Sequence, residues 1–281
     1  MGAPLTTDRY DRIAEGYRRW WAPVLEPTAL RVLDLINETH PPAEARLLDV
    51  GTGTGTLAIA ATRRWQKARV TGIDASSGMV AMAGRAADEE LSADDRRRLA
   101  FEVASADSLP FEDGSFDAAV SSFVLQLVPN RARALRDIRR ILRPGGTMAW
   151  VTWQAGRSGP FAPDEAFDDA LEEVGIDPRE EPATRSGDIP SPATAIGQLR
   201  SAGFAGARAW SETLEYPFDA ESYYAFMTEF DEQDLVESMD AAERGPFLAD
   251  FRRRLGRLRP ADFVFEAPVV FAVGSASLRA R

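Results

Sequence analysis

The chain has no cysteine, a single histidine and a single lysine among 281 residues. Without cysteine there is no disulfide, no thiolate zinc site and no cysteine nucleophile. One histidine, His40, cannot make a histidine-based metal site, so no metal is expected. Positive charge is also scarce. Acidic residues outnumber basic ones 44 to 33, for a net charge of −11, whereas a nucleic-acid binder needs a dense basic surface. Arginines do gather at 96–98, 131–143 and 252–254. In the second cluster they alternate with an apolar stripe, Leu135, Ile138, Ile141 and Leu142, which reads as the solvated face of a helix. No apolar run approaches the ~18 residues of a membrane span. The amino terminus lacks a basic start followed by an apolar stretch, so a cytoplasmic protein without a secretory signal is expected.

What the chain does have is a glycine-rich turn. Leu47, Leu48, Asp49 and Val50 read as a short buried strand, followed by glycines at alternate positions, Gly51, Gly53 and Gly55. An apolar helical pattern starts at Leu57. A strand that turns into a helix through glycines lets a ligand approach bare backbone. The next strand ends at Asp74, nineteen residues after Gly55, a spacing that suits a carboxylate bonded to both ribose hydroxyls. The dinucleotide fingerprint would need its third glycine at position 56, which is Thr56, and no phosphate-loop lysine is near. A nucleoside-containing cofactor other than a dinucleotide is therefore expected.

The run Leu48-Asp-Val-Gly-Thr-Gly-Thr-Gly55 resembles the first motif of class I S-adenosylmethionine-dependent methyltransferases. Gly72-Ile-Asp-Ala-Ser-Ser-Gly-Met79 resembles their second motif, Ala106 to Asp117 their adenine motif, and Leu142-Arg-Pro-Gly-Gly146 the loop before their fifth strand. The resemblance covers roughly 46–153 and is nearest to the ubiquinone/menaquinone C-methyltransferase-like branch of small-molecule enzymes. It implies S-adenosylmethionine as cofactor and a site made of Tyr17, Asp49, Gly51, Thr52, Gly53, Thr54, Gly55, Asp74, Ala75, Met79, Ala106, Asp107, Ser108 and Ser122. In that reading Asp49 meets the methionine ammonium or is a buried acid bonded to the loop. Thr52 and Thr54 bind the carboxylate or cap the next helix. Met79 covers adenine or is core, Asp107 accepts from the adenine amine beside the Ser108 backbone, and Tyr17 or Tyr10 closes over the cofactor.

The order of elements gives the fold class. Strands are predicted at 46–51, 69–73, 99–104, 116–121 and 146–153, with helices at 55–66, 77–90 and 130–143 between them. Such alternation makes an α/β fold, a Rossmann-like, mostly parallel seven-stranded sheet with helices on both faces. Its ligand lies beyond the carboxyl ends of the strands, where Gly51, Asp74, Asp107 and Ser122 fall. Residues 1–40 read as an N-terminal helical cap and 46–153 as the cofactor-binding core of one methyltransferase domain spanning 1–281. Residues 155–193 and 219–258 read as lid insertions, with the last two strands at 205–215 and 263–275 forming a hairpin.

Methyl transfer from a sulfonium expels a neutral thioether, so alignment of donor and acceptor supplies much of the acceleration. His40, in a loop before the first strand, sits at the wrong end of the sheet to serve as a base. Gln126 stands after the fourth strand, where related sequences often carry histidine; an amide cannot take a proton at neutral pH, which argues against base-assisted O-methylation. The predicted acceptor is a small, largely apolar molecule methylated at carbon, nitrogen or oxygen, with a homodimer an open alternative to a lone chain. The competing readings are a nucleoside-binding protein without catalysis and, more distantly, an NAD-type oxidoreductase.

Overall fold

The computed structural model describes residues 3–38, 44–156, 159–177 and 187–276. Contacts divide the chain into two compact units, one built from residues 1–155, 186–212 and 269–281, the other from 156–185 and 213–268.

The first unit opens with helix α1 (Ala3–Gly16) and helix α2 (Ala22–Glu38), joined without a loop by a π-helical turn at Tyr17–Trp21. Then come β1 (Arg46–Val50), α3 (Thr56–Arg64), β2 (Arg69–Asp74), α4 (Ser77–Glu90), α5 (Ala93–Arg96), β3 (Leu99–Val103), β4 (Phe116–Ser122), α6 (Arg131–Ile141) and β5 (Leu142–Trp153). Helix α7 (Ala162–Glu173) precedes α8 (Pro192–Ser201) and β6 (Phe204–Pro217). Helices α9 (Ala220–Phe226), α10 (Gln233–Ser238) and α11 (Ala241–Leu255) lead to β7 (Val264–Ala276).

The seven strands form one sheet in the order β3-β2-β1-β4-β5-β7-β6. β1 pairs in parallel with β2 and β4, and β7 runs antiparallel to β5. Apolar side chains on both faces of the central strands explain the parallel arrangement: Leu47, Leu48, Val50, Ala118, Ala119, Val120 and Met148 through Val151 are all buried, as a sheet covered by helices on two sides requires. Connections run outward in opposite directions from β1 and β4, which opens a crevice at their carboxyl ends.

Two predicted boundaries shift. Helix α3 ends at Arg64 rather than 66, and α6 ends at Ile141, because Leu142 already pairs with Phe116. The Arg-Pro-Gly-Gly segment is thus an irregularity inside β5 rather than a loop before it, its register shifting between Phe116 and Ala118. The arginine clusters are structural. Arg98 donates to the carbonyls of Thr62, Trp65 and Ala68, and Arg140 bonds Asp137 and Asp113 while donating to the carbonyls of Leu109 and Phe111.

The second unit holds its own aromatic core. Phe167 meets Phe247 and Phe251 edge-on, at 5.3 and 5.1 Å between ring centroids. The Tyr223 hydroxyl donates to Asp164, and burial followed by that carboxylate pushes the phenol far above its usual range. Arg254 ties α11 to α7 through Asp169 at 2.6 Å. No helix of the described residues is long and apolar enough to cross a membrane.

Candidate active site

The loop between β1 and α3 is built on left-handed backbone. Gly51, Gly53 and Gly55 have φ of 72°, 53° and 94°, values that side-chain-bearing residues rarely adopt. Gly51 and Gly53 need glycine for different reasons. A Cβ on Gly51 would lie 2.3 Å from Val124, in the segment after β4. A Cβ on Gly53 would meet nothing within 4 Å, so bare backbone faces open space there. The loop is anchored to β2, with the Thr52 amide donating to the Ile73 carbonyl at 2.7 Å.

Asp74 closes the other side. Its Oδ2 accepts from the Gly53 amide and its Oδ1 from the Ser76 amide, each at 2.9 Å. Burial raises its pKa above the usual carboxylate range, against the lowering effect of those amides. Two backbone bonds fix the carboxylate, and the lone pairs they leave unused remain for a ligand.

Asp49 is 1% exposed. Its Oδ2 accepts from the Thr52 hydroxyl at 2.7 Å, while Oδ1 is buried without a hydrogen-bond partner. Burial pushes this carboxyl up to about 7. The Thr52 hydroxyl is therefore committed to Asp49. Neither Thr52 nor Thr54 caps α3: its N-cap is Gly55, which has no side chain to offer, and in the first turn the Ala58 amide is directed at Asp49 beneath the loop.

The N-terminal helices supply the third wall. Asp11 Oδ1 accepts from the Ser76 hydroxyl at 2.6 Å and the Gly78 amide at 2.7 Å, which pins α1 to the start of α4. These bonds hold the Asp11 carboxyl below its usual range. Tyr10, Ala14 and Tyr17 pack with Met79 and Met82. Met79, 2% exposed, is both core and cavity wall. Desolvation, reinforced by Tyr10 and Asp74, pushes the Tyr17 phenol well above its ordinary value.

These walls enclose a cavity of about 1220 Å³, its open mouth included. Of the residues expected from sequence, Tyr17, Gly51, Thr52, Gly53, Thr54, Asp74, Ala75, Met79, Ala106 and Ser122 line it. Asp49, Gly55, Asp107 and Ser108 do not. Asp49 lies beneath the loop, and Asp107 takes a bond from the Ser105 hydroxyl at 2.8 Å. Both tyrosines expected to close over the cofactor, Tyr10 and Tyr17, reach the cavity. His40 lies outside the described residues. No set of three or more metal-ligating side chains occurs among the described residues.

The structure also brings in residues that sequence reasoning passed over. Phe123, at φ 53° the one described residue other than glycine with positive φ, lines the cavity and packs tilted against Trp153, with ring centroids 4.4 Å apart. Leu25, Glu26 and Ala29 of α2 face it too. They lie in the first turns of α2, directly after the π turn at Tyr17–Trp21.

Residues 48–150 match a family described as a methyltransferase domain. Over that segment the chain is similar to methyltransferase domains. Along the aligned part, the chain is 34% identical to the ubiquinone/menaquinone biosynthesis C-methyltransferase UbiE of Geobacter sulfurreducens, covering 41% of this chain and 44% of that protein. It is 34% identical to the demethylmenaquinone methyltransferase of Thermus thermophilus over 47% of this chain and 56% of that one. It is 36% identical to the 27-O-demethylrifamycin SV methyltransferase of Amycolatopsis mediterranei over 50% of each. The matched segment thus spans about half the length of these relatives. Among solved structures, the YcgJ protein of Bacillus subtilis superposes with a TM-score of 0.57 at 19% identity, covering 88% of this chain and 98% of that one. The [4+2]-cyclase SpnF superposes at 0.51 with 24% identity, over 88% and 82%. These likenesses show the Rossmann-like α/β fold.

Proposed function

We propose that the protein transfers a methyl group from S-adenosylmethionine to a small, largely apolar acceptor. The observation that carries this reading is the pairing of Gly53 and Asp74: unobstructed backbone and a fixed carboxylate border one cavity at the switch point of the sheet. The residues present fit the cofactor. Asp74 would accept from the ribose hydroxyls, Met79 and Ala106 would flank the adenine, and the start of α3, whose N-cap Gly55 has no side chain, would receive the methionine carboxylate. When bound, the cofactor supplies an electrophilic methyl group on a sulfonium. The chain then needs to hold the acceptor in line and keep water out.

Leu25, Ala29, Phe123, Val124, Leu127 and Val128 form the apolar part of the lining and favour an apolar acceptor. The names of the relatives cover quinone biosynthesis and rifamycin methylation, and both C- and O-methyltransferases, so they leave the acceptor atom open. Gln126 is spent inside the protein. Its Nε2 donates to the Phe123 carbonyl at 2.6 Å and its Oε1 accepts from Thr152 at 2.7 Å. That leaves alignment rather than an amide or imidazole at this position as the source of rate.

The second reading is nucleoside binding without methyl transfer, favoured by the likeness to a protein named for a cyclisation. Calorimetry with S-adenosylhomocysteine and NAD, followed by transfer of labelled methyl to a panel of quinols, phenols and amines, separates the readings. Binding of S-adenosylhomocysteine with label transfer supports the enzyme, and binding without transfer across the panel supports the second reading. Binding of NAD alone overturns both.

A further inference from the structure

An amino-acid tail with a free ammonium needs a carboxylate. Asp74 is committed to the Gly53 and Ser76 amides and stands at the ribose position. Asp49, the acid that the motif suggests, does not line the cavity, and one of its oxygens is taken by Thr52. Burial also holds its carboxyl up at about 7, which weakens it as a permanent anion. One other acid faces the cavity: Glu26, on the first turns of α2. Its side chain is exposed and forms no hydrogen bond or ion pair within the described residues. No lysine, arginine or histidine of the described residues lines the cavity to neutralise it.

Its place in the fold fits the tail. α2 packs against α3 and β4, and Glu26 shares the cavity wall with Thr56 and Leu57 at the start of α3. A zwitterion laid along that wall would find backbone amides for its carboxylate and Glu26 for its ammonium.

Resting on the methyltransferase reading, we propose that Glu26 binds the α-ammonium of the methionine moiety of the cofactor. The cavity therefore distinguishes an amino-acid thioether from a plain nucleoside thioether by charge at its α2 wall. An acceptor amine held by Glu26 is the competing outcome.

The test is calorimetry of the full chain with S-adenosylhomocysteine and with 5′-methylthioadenosine, which lacks the amino-acid part. In Glu26→Gln and Glu26→Ala, affinity for S-adenosylhomocysteine should fall about three- to tenfold, as expected for a solvent-accessible charged pair. Affinity for 5′-methylthioadenosine should stay within twofold. A loss of twofold or more confined to S-adenosylhomocysteine, with unchanged melting temperature, bears the assignment out. A loss below twofold, or an equal loss for both ligands, overturns it. If the unmodified protein binds neither ligand, the methyltransferase reading has failed rather than the role of Glu26.

Discussion

The amide of Gln126 holds Phe123 in left-handed backbone: Nε2 reaches the Phe123 carbonyl at 2.6 Å, and the Phe123 amide donates to the Val151 carbonyl at 2.9 Å. A phenylalanine at φ 53° costs on the order of 1–3 kcal/mol, so the surrounding bonds must hold it there. Gln126→Ala removes one of them and leaves the Thr152 hydroxyl without its acceptor. Denaturant unfolding should show a loss of roughly 1–3 kcal/mol. Affinity for S-adenosylhomocysteine should change little, and any loss of turnover should fall short of the 10²–10⁴-fold that a removed base produces.

Gly51 and Gly53 should fail in different ways. Gly51→Ala drives a Cβ into Val124 and should lower the melting temperature sharply. Gly53→Ala places its methyl in open space, so the protein should fold, at a cost of about 1 kcal/mol for the left-handed backbone. It should nevertheless lose S-adenosylhomocysteine binding by calorimetry, because the methyl occupies the approach to the backbone. Retained binding in folded Gly53→Ala would place the ligand elsewhere.

Asp74→Ala removes the proposed acceptor for two ribose hydroxyls. Bonds to a charged acceptor are each worth about 1.5–3 kcal/mol, so affinity for S-adenosylhomocysteine should fall at least about tenfold, while circular dichroism stays native. Asp107→Ala should cost less, since Asp107 stands outside the cavity lining and bonds Ser105.

Asp49 gives a pH dependence with a definite sign. Its pKa is raised from 3.8 to about 7 in the folded state. Between those values the native state binds the extra proton, so stability declines as pH rises through that window and levels off above about 7. Asp49→Asn keeps an acceptor for Thr52 and imitates the protonated form. Its melting temperature should fall less than that of the unmodified chain between pH 4 and 8, with the largest difference at the alkaline end. Parallel curves for the two proteins would contradict the raised pKa.

Much of this was legible before any coordinates, and the reasons are local. The glycine turn and Asp74 lie on adjacent strands whose spacing the chain itself dictates, so their convergence could be read from sequence. The strand–helix alternation likewise determined which end of the sheet holds the cavity. Gln126 was placed correctly after β4, but its bond to Thr152 depends on register with β5, 26 residues away. Asp107 was given to adenine because of its motif, and a side-chain bond from Ser105, two residues earlier, turns out to occupy one of its oxygens. Residues 155–193 and 219–258 read as lid insertions, and within them Phe161, Phe167, Tyr223 and Tyr224 pack in a core of their own; an aromatic ring serves a pocket wall or a core equally well. Composition cannot distinguish these uses.

The π turn at Tyr17–Trp21 makes the amino-terminal helices sensitive to chain length in a way that point substitutions do not test. A π turn accommodates one residue more than an α turn, and each residue turns a helix by about 100°. Deleting a single residue there, such as Arg19, would let one regular helix run from α1 into α2. α1 would stay pinned at Asp11, but Ala22, Leu25, Glu26 and Ala29 would swing about a quarter of a turn away from the cavity. The phase between the two helices is thus written as a count of residues, and related chains that differ by one residue in this stretch would present a different wall to their acceptors.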